Sequence, residues 1–133
     1  MGVAENKKIV LAFIEAISNG NEEETFANFA DDVTWWLPGS LPVSGTHKGK
    51  QGIIDGLLGP SRPFLVPNSI SIEVRGVIGE NDYVAVEWIA RAQTVKGPKY
   101  ENYYFLMFEI KNKKIQHVRE YVDTLYAKDV IFS

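Results

Sequence analysis

Residues 99–126 read KYENYYFLMFEIKNKKIQHVREYVDTLY, and in much of this stretch apolar side chains recur at every second position. Such alternation is typical of β-strands with one face buried. The polar segment Lys111-Asn112-Lys113 interrupts the pattern and has the composition of a tight turn. The stretch therefore predicts a hairpin of two strands, residues 99–110 and 114–126.

The same alternation extends upstream of this hairpin. Residues 69–78 and 83–95 are also predicted to be strands, with turns at Gly79–Asp82 and at Gly97-Pro98. Four consecutive strands joined by short turns predict an antiparallel meander.

The N-terminal part of the chain has helical periodicity instead. Helices are predicted over residues 4–18, from 22 to near 30, and over 50–58, where Gly59-Pro60 is expected to stop the third one. A strand at 33–37 separates the second and third helices. Helices followed by a long sheet predict an α+β fold, with three N-terminal helices packed on a strongly curved antiparallel sheet. We expect one domain over residues 1–133.

Glu120 interrupts the apolar face of the last predicted strand. It shares that face with Val118 and Val122. A carboxylate that faces a core is costly unless it is paired, protonated or lines a cavity. Glu120 is therefore the candidate catalytic residue. Two alternatives stay open: a buried partner neutralises the carboxylate, or a bulge turns it toward water.

The composition excludes several classes of function. A formal net charge of -3 disfavours a nucleic-acid partner. With no cysteine and two isolated histidines, His47 and His117, the sequence predicts neither a metal site nor a cofactor. No apolar run reaches the ~20 residues of a membrane span, and the N-terminus lacks the layout of a signal peptide. We therefore expect a cytoplasmic protein with no membrane partner.

Five segments also carry a family resemblance: FADDV (29–33), WWLPG (35–39), SGTHKG (44–49), GPKYENY (97–103) and REYVDT (119–124). Together they resemble the SnoaL-like, ketosteroid isomerase-related branch of the nuclear transport factor 2-like superfamily. The resemblance spans nearly the whole chain and implies a cone-shaped α+β fold with a pocket at its open end. Members include isomerases, hydrolases, cyclases and non-catalytic proteins, so the resemblance leaves the reaction open.

The resemblance also exposes departures from the ketosteroid isomerases. Their general-base aspartate corresponds to Leu37, their oxyanion-hole tyrosine to Phe13 and their second oxyanion-hole acid to Leu106. Apolar residues replace all three polar groups, which disfavours steroid isomerisation by that machinery.

Two further branches of the superfamily are compared at the same positions. The arginine and one aspartate of limonene epoxide hydrolases correspond to Trp88 and Ala90, and their other aspartate corresponds to Glu120. In the resemblance to SnoaL-type cyclases, the comparison rests on a single acid. Those enzymes move a proton with one acid, and this chain retains one carboxylate, Glu120. This is the mechanism that the chain matches best.

Strand alternation predicts a pocket around Glu120. The residues expected to bind a ligand there are Phe13, Trp35, Leu37, Trp88, Asn102 and Tyr104, with Asn102 near the mouth. Apolar walls with a few convergent polar groups are typical of a site for a small apolar or aromatic molecule. The alternatives are that the aromatic residues are ordinary core and that Asn102 ends a strand.

Two functions stay open from these residues. In the first, Glu120 is the general acid/base of a cofactor-free isomerase-, cyclase- or hydrolase-like enzyme. In the second, the same pocket binds a ligand without turnover, or the fold is a dimeric scaffold.

The opposite face of the sheet predicts a homodimer. With Trp35 and Leu37 inward, the outward residues include Trp36, Tyr103, Phe105, Met107 and Tyr121, an apolar surface larger than a monomer usually exposes. The alternative is that the C-terminal segment Val130-Ile131-Phe132 covers them. The resemblance to dimeric proteins favours the dimer.

Overall fold

Five α-helices and six β-strands form the computed structural model, which describes residues 2–133. The helices are α1 (Val3–Ser18), α2 (Glu22–Ala27), α3 (Gly49–Ile53), α4 (Gly59–Ser61) and α5 (Thr124–Val130). The strands are β1 (Phe29–Leu37), β2 (Gly45–Lys48), β3 (Ser71–Glu80), β4 (Tyr83–Gln93), β5 (Lys99–Lys111) and β6 (Lys114–Val122). The predicted α+β class is confirmed.

The first two helices form where the periodicity predicts them. Val10, Phe13 and Ile14 are the buried face of α1. Gly20 has a φ of 68°, a left-handed conformation that suits the turn into α2. The Asn21 side chain accepts a hydrogen bond from a backbone N–H of α2 and caps it. The predicted end near residue 30 is wrong, because β1 already begins at Phe29.

The third helical region is longer than predicted. After α3 the chain continues through a π-helical turn (Ile54–Leu58), then α4, then a 3₁₀ turn (Arg62–Phe64). Pro60 does not stop this run, because it occupies the first turn of α4, where a missing N–H removes no helical hydrogen bond. The run therefore reaches Phe64 instead of ending at residue 58.

The six strands form one sheet in the order β2-β1-β6-β5-β4-β3. Strands β3 to β6 are the predicted antiparallel meander. The exception to the predicted antiparallel arrangement is β1, which runs parallel to β6 and places Trp35 opposite Val118. This pairing brings the first strand of the chain beside the strand that carries Glu120.

Strand β6 differs from the prediction at both ends. A bulge lies near its start, because Glu109 pairs with His117 whereas Ile110 pairs with Ile115. The strand ends at Val122 instead of Tyr126, because the Asp123 side chain accepts a hydrogen bond from a backbone N–H of α5 and caps that helix.

The main core lies between α1 and the inner face of the sheet. It contains buried apolar side chains from both layers, among them Val10, Phe13, Val33, Val86, Leu106 and Phe108. A second cluster lies where α5 meets the sheet and includes Leu37, Tyr100, Ala127 and Ile131. Within residues 2–133, no helix is long and apolar enough to cross a membrane.

Candidate functional site

A cavity of about 700 Å³ lies between the inner face of the sheet and the helices. Six of the seven predicted site residues line it: Phe13, Trp35, Leu37, Trp88, Tyr104 and Glu120. They come from α1, β1, β4, β5 and β6, so strand pairing brings together residues that are distant in sequence. The cavity is large enough for a small molecule with several rings.

Glu120 is the acidic group on the buried wall of this cavity. Its side chain is only 7% exposed, and the Trp35 indole Nε1–H donates a hydrogen bond of 2.9 Å to its Oε1. None of the ion pairs formed within residues 2–133 includes Glu120. Burial raises the pKa of this carboxyl to about 7, and the Trp35 hydrogen bond opposes that rise. The bulge therefore does not turn Glu120 toward water.

A pair of tyrosine hydroxyls lies on the same wall. Tyr100 Oη and Tyr104 Oη are 2.6 Å apart, and both residues line the cavity. Burial raises the pKa of Tyr100 to about 12 and that of Tyr104 well above its usual value, so both hydroxyls are neutral. Tyr100 was not among the predicted residues. Its position on the same strand face as Tyr104 was the available signal.

Asn102 does not lie at the mouth of the cavity, and this expectation is wrong. It is 2% exposed and is not part of the cavity wall. Its Nδ2 donates hydrogen bonds to Tyr100 Oη (2.9 Å) and to the Asp123 carbonyl (3.1 Å), so it supports the tyrosines from behind. The reason is that β6 ends at Val122, and the turn at Asp123 supplies a carbonyl for the amide.

The remaining predicted residues form apolar wall. Phe13 packs against Phe29 and Phe108, with ring centroids 5.2 and 5.8 Å away. Trp88 lies 6.0 Å from Tyr104 by ring centroids, and its buried indole N–H has no acceptor among residues 2–133. Of the two tryptophans, it is Trp35 that reaches Glu120.

The mouth of the cavity is rimmed by segments for which the sequence predicted no site residue. Arg62 and Glu22 form an ion pair of 2.8 Å that joins the end of the third helical region to α2, and both line the cavity. At the α5 side, Phe132 packs against Phe64 with ring centroids 5.6 Å apart.

The two histidines make separate contacts away from Glu120. A His47 ring nitrogen lies 2.6 Å from the Val43 carbonyl, and a His117 ring nitrogen lies 2.7 Å from the Thr34 hydroxyl. No group of three or more metal-ligating side chains forms in the part of the chain that the structure describes.

Solved structures with the same fold have low sequence identity to this chain. A nuclear transport factor 2-like protein of unknown function from Burkholderia pseudomallei is 18% identical, with a TM-score of 0.88 and coverage of 100% of both chains. A nuclear transport factor 2-like protein from Burkholderia xenovorans is 24% identical, with a TM-score of 0.77 and coverage of 98% of both chains. TerC, co-crystallised with polyporic acid, is 20% identical over 97% of this chain and 99% of its own, with a TM-score of 0.84.

These similarities show the fold, which is that of the nuclear transport factor 2-like proteins. No curated protein matches the sequence. The family model of the SnoaL-like domain matches residues 10–118, which is most of the chain. The protein therefore belongs to the SnoaL-like domain family.

Proposed function

We propose that the cavity binds a small apolar or aromatic molecule and that Glu120 acts on it as a cofactor-free general acid/base. The observation that carries this proposal is the environment of the Glu120 carboxyl. It is buried in a cavity wall, where residues 2–133 give it one hydrogen bond, from Trp35, and no ion pair. A carboxyl in such a site is kept near the protonation midpoint at neutral pH.

The pKa of about 7 suits proton transfer in both directions. A group with a pKa near the working pH is present in both forms, so it can accept a proton and return it. Trp35 holds Oε1, whereas Oε2 accepts no hydrogen bond from residues 2–133. Oε2 is therefore the oxygen available to a bound molecule.

Exchange of hydrogen for deuterium at the carbon beside the carbonyl of β-tetralone tests this role, because the exchange needs only a base and no cofactor. We expect the protein to accelerate the exchange in D₂O, as followed by NMR. Glu120→Gln should lose the acceleration and still bind the ketone, as measured by tryptophan fluorescence. Glu101→Gln is the matched control, because Glu101 lies on the exposed face of β5 and should exchange like the wild type.

Equal rates for Glu120→Gln and the wild type would contradict the acid/base role. Binding without any acceleration by the wild-type protein would favour the second candidate function, a non-catalytic binding protein. What supports this candidate is that Phe13, Leu37 and Leu106 are buried apolar residues where ketosteroid isomerases have polar catalytic groups. The aromatic ligand of TerC, polyporic acid, is consistent with either function for this cavity.

We further propose that the protein is a homodimer through the outer face of the sheet. Tyr103, Phe105 and Tyr121 are 54%, 45% and 45% exposed, and Trp36 packs on Tyr121 with ring centroids 5.4 Å apart. The half-buried Met107 completes this surface. Aromatic residues and methionine are enriched in interface cores.

The alternative cover for these residues, the C-terminal segment, is engaged elsewhere. Ile131 and Phe132 pack in the cluster at the α5 end of the cavity. Light scattering should give a dimer mass for the wild type and a monomer mass for Phe105→Glu. Leu125→Glu is the control, since Leu125 is 68% exposed on α5 and should leave the mass unchanged. A monomeric wild type at micromolar concentration would contradict the dimer.

A further inference from the structure

Asn102 and the tyrosine pair form a short chain of hydrogen bonds. Asn102 uses both hydrogens of Nδ2, one toward Tyr100 Oη and one toward the Asp123 carbonyl. Its Oδ1 accepts from the Tyr103 backbone N–H at 2.9 Å. The orientation of the amide is therefore fixed on both sides, and Tyr100 Oη must be an acceptor for it.

The two hydroxyls then have one hydrogen more than they use. Each hydroxyl carries one hydrogen, and the 2.6 Å contact between Tyr100 and Tyr104 consumes one of the two. The hydrogen bonds formed within residues 2–133 give the other hydrogen no acceptor. If Tyr100 donates to Tyr104, the unused hydrogen belongs to Tyr104, and in the reverse case it belongs to Tyr100. In either case the unused donor belongs to a tyrosine that lines the cavity.

A buried donor without an acceptor is unfavourable, which makes this position one where a ligand oxygen is favoured. The chain of hydrogen bonds that starts at Asn102 polarises the last hydroxyl and strengthens its bond to an acceptor. Trp88, which lies beside Tyr104, contributes an apolar face against which a ring can pack.

We propose that Tyr100 and Tyr104 form an oxygen-binding subsite, so that the natural ligand is a ring compound with a carbonyl or similar acceptor oxygen. This inference rests on the proposed binding function of the cavity and names the class of ligand. Asn102 is a positioning residue for the subsite, because it acts through Tyr100 and does not reach the cavity.

The position of the subsite relative to Glu120 agrees with a shared ligand. On the paired strands β5 and β6, Tyr104 lies opposite Val122 and Leu106 lies opposite Glu120, so Tyr104 and Glu120 are diagonal neighbours on the inner face. Since all three side chains line one cavity, a molecule whose oxygen is held by the tyrosines shares that cavity with the carboxyl. Among residues 2–133, no hydrogen bond joins Glu120 to either tyrosine hydroxyl, so the carboxyl does not use the unused donor.

The test compares methyl naphthyl ketone with ethylnaphthalene, which has the same carbon skeleton with a methylene in place of the carbonyl. Replacing both tyrosines, Tyr100→Phe with Tyr104→Phe, should weaken binding of the ketone about 3- to 10-fold, the range expected for one net hydrogen bond. Binding of the hydrocarbon should change less than about 2-fold, because the phenyl rings keep the apolar wall. Equal losses for the two probes would overturn the subsite.

A second measurement needs no variant and so does not depend on the folding of one. The infrared C=O stretch of the bound ketone in the wild-type protein should lie below its value in a hydrocarbon solvent, as a hydrogen-bonded carbonyl does. A band at the hydrocarbon value, or no binding of the ketone, would overturn the proposal. For the positioning role, Asn102→Leu should move the band partway back, whereas a purely structural residue would lower the thermal stability and leave the band in place.

The two proposals fail in different ways. If Glu120→Gln leaves proton exchange unchanged but the ketone-specific loss and the lowered C=O band are found, the acid/base role is wrong and the subsite stands. If exchange depends on Glu120 but the two probes respond equally, the acid/base role stands and the subsite is wrong.

Discussion

Glu101 and Glu120 lie on neighbouring strands of one sheet, but on opposite faces. Glu101 is exposed, and its Oε2 forms a 2.7 Å ion pair with Arg91 Nε. Arg91 also pairs with Glu73 at 2.9 Å. Glu120 is buried, and within residues 2–133 its one donor is the neutral indole of Trp35. The same side chain is an exposed partner of an arginine on one face, whereas on the other face burial in a cavity wall raises its pKa to about 7. The face of the strand decides which, because successive residues point to opposite sides.

The largest expected effect is on the pH dependence of stability when Glu120 is changed. In the native state its pKa is about 7, above the ordinary 4.5, so unfolding at a pH between these values releases a proton. Wild-type stability therefore loses this contribution as pH rises from about 4.5 to about 7. Glu120→Gln lacks it, so relative to the wild type the variant should gain about 3 kcal/mol between about pH 4 and pH 8.

Urea unfolding of both proteins at the two pH values measures this difference. The comparison of the two proteins removes the contributions of all the other carboxyls, which titrate alike in both. A difference between the proteins that is the same at both pH values would mean that folding does not raise the pKa of Glu120, and the contrast between the two faces would be lost.

A smaller effect is expected when the single partner of Glu120 is removed. Trp35→Phe keeps an aromatic ring but deletes the Nε1–H donor, which holds the pKa of Glu120 down. The pKa should therefore rise above its wild-type value. The variant should lose about 2 kcal/mol of stability near pH 8, where the carboxylate is charged, and less near pH 5. A loss that does not depend on pH would show that Trp35 contributes packing alone.

The smallest effect is expected on the exposed face. Glu101→Gln removes one of two carboxylates from an arginine whose side chain is 42% exposed. Exposed ion pairs contribute little to stability and are screened by salt. Urea unfolding should not separate the variant from the wild type at moderate salt. A large loss of stability that persists at high salt would contradict this expectation, because an exposed ion pair would then contribute as much as the buried site.

The sequence predicted the parts of this account that depend on local periodicity. Alternation along β1 and β6 was enough to place Trp35 and Glu120 on the buried face, and it identified the meander. It gave no signal for the parallel pairing of β1 with β6, because that contact joins residues 85 positions apart along the chain. The sequence therefore could not predict that Trp35 lies within hydrogen-bond distance of Glu120.

The errors in the sequence prediction have local physical causes. Asp123 was interpreted as part of a strand. An aspartate is also a good helix cap, and in the structure it caps α5, which begins at Thr124. Pro60 was interpreted as a stop, although proline is tolerated in a first helical turn. Asn102 was predicted at the cavity mouth, but β6 ends early, and this end places the Asp123 carbonyl where the Asn102 amide binds it.

The most direct test of the acid/base account is the pKa of Glu120 itself. Carboxyl ¹³C NMR of protein labelled at glutamate, with Glu120→Gln to assign the resonance, gives this value for the folded chain. The account predicts a titration midpoint of about 7 for Glu120. A midpoint near the ordinary 4.5 would contradict it, because the carboxyl would then be an ionised surface-like group without the proton it is proposed to transfer.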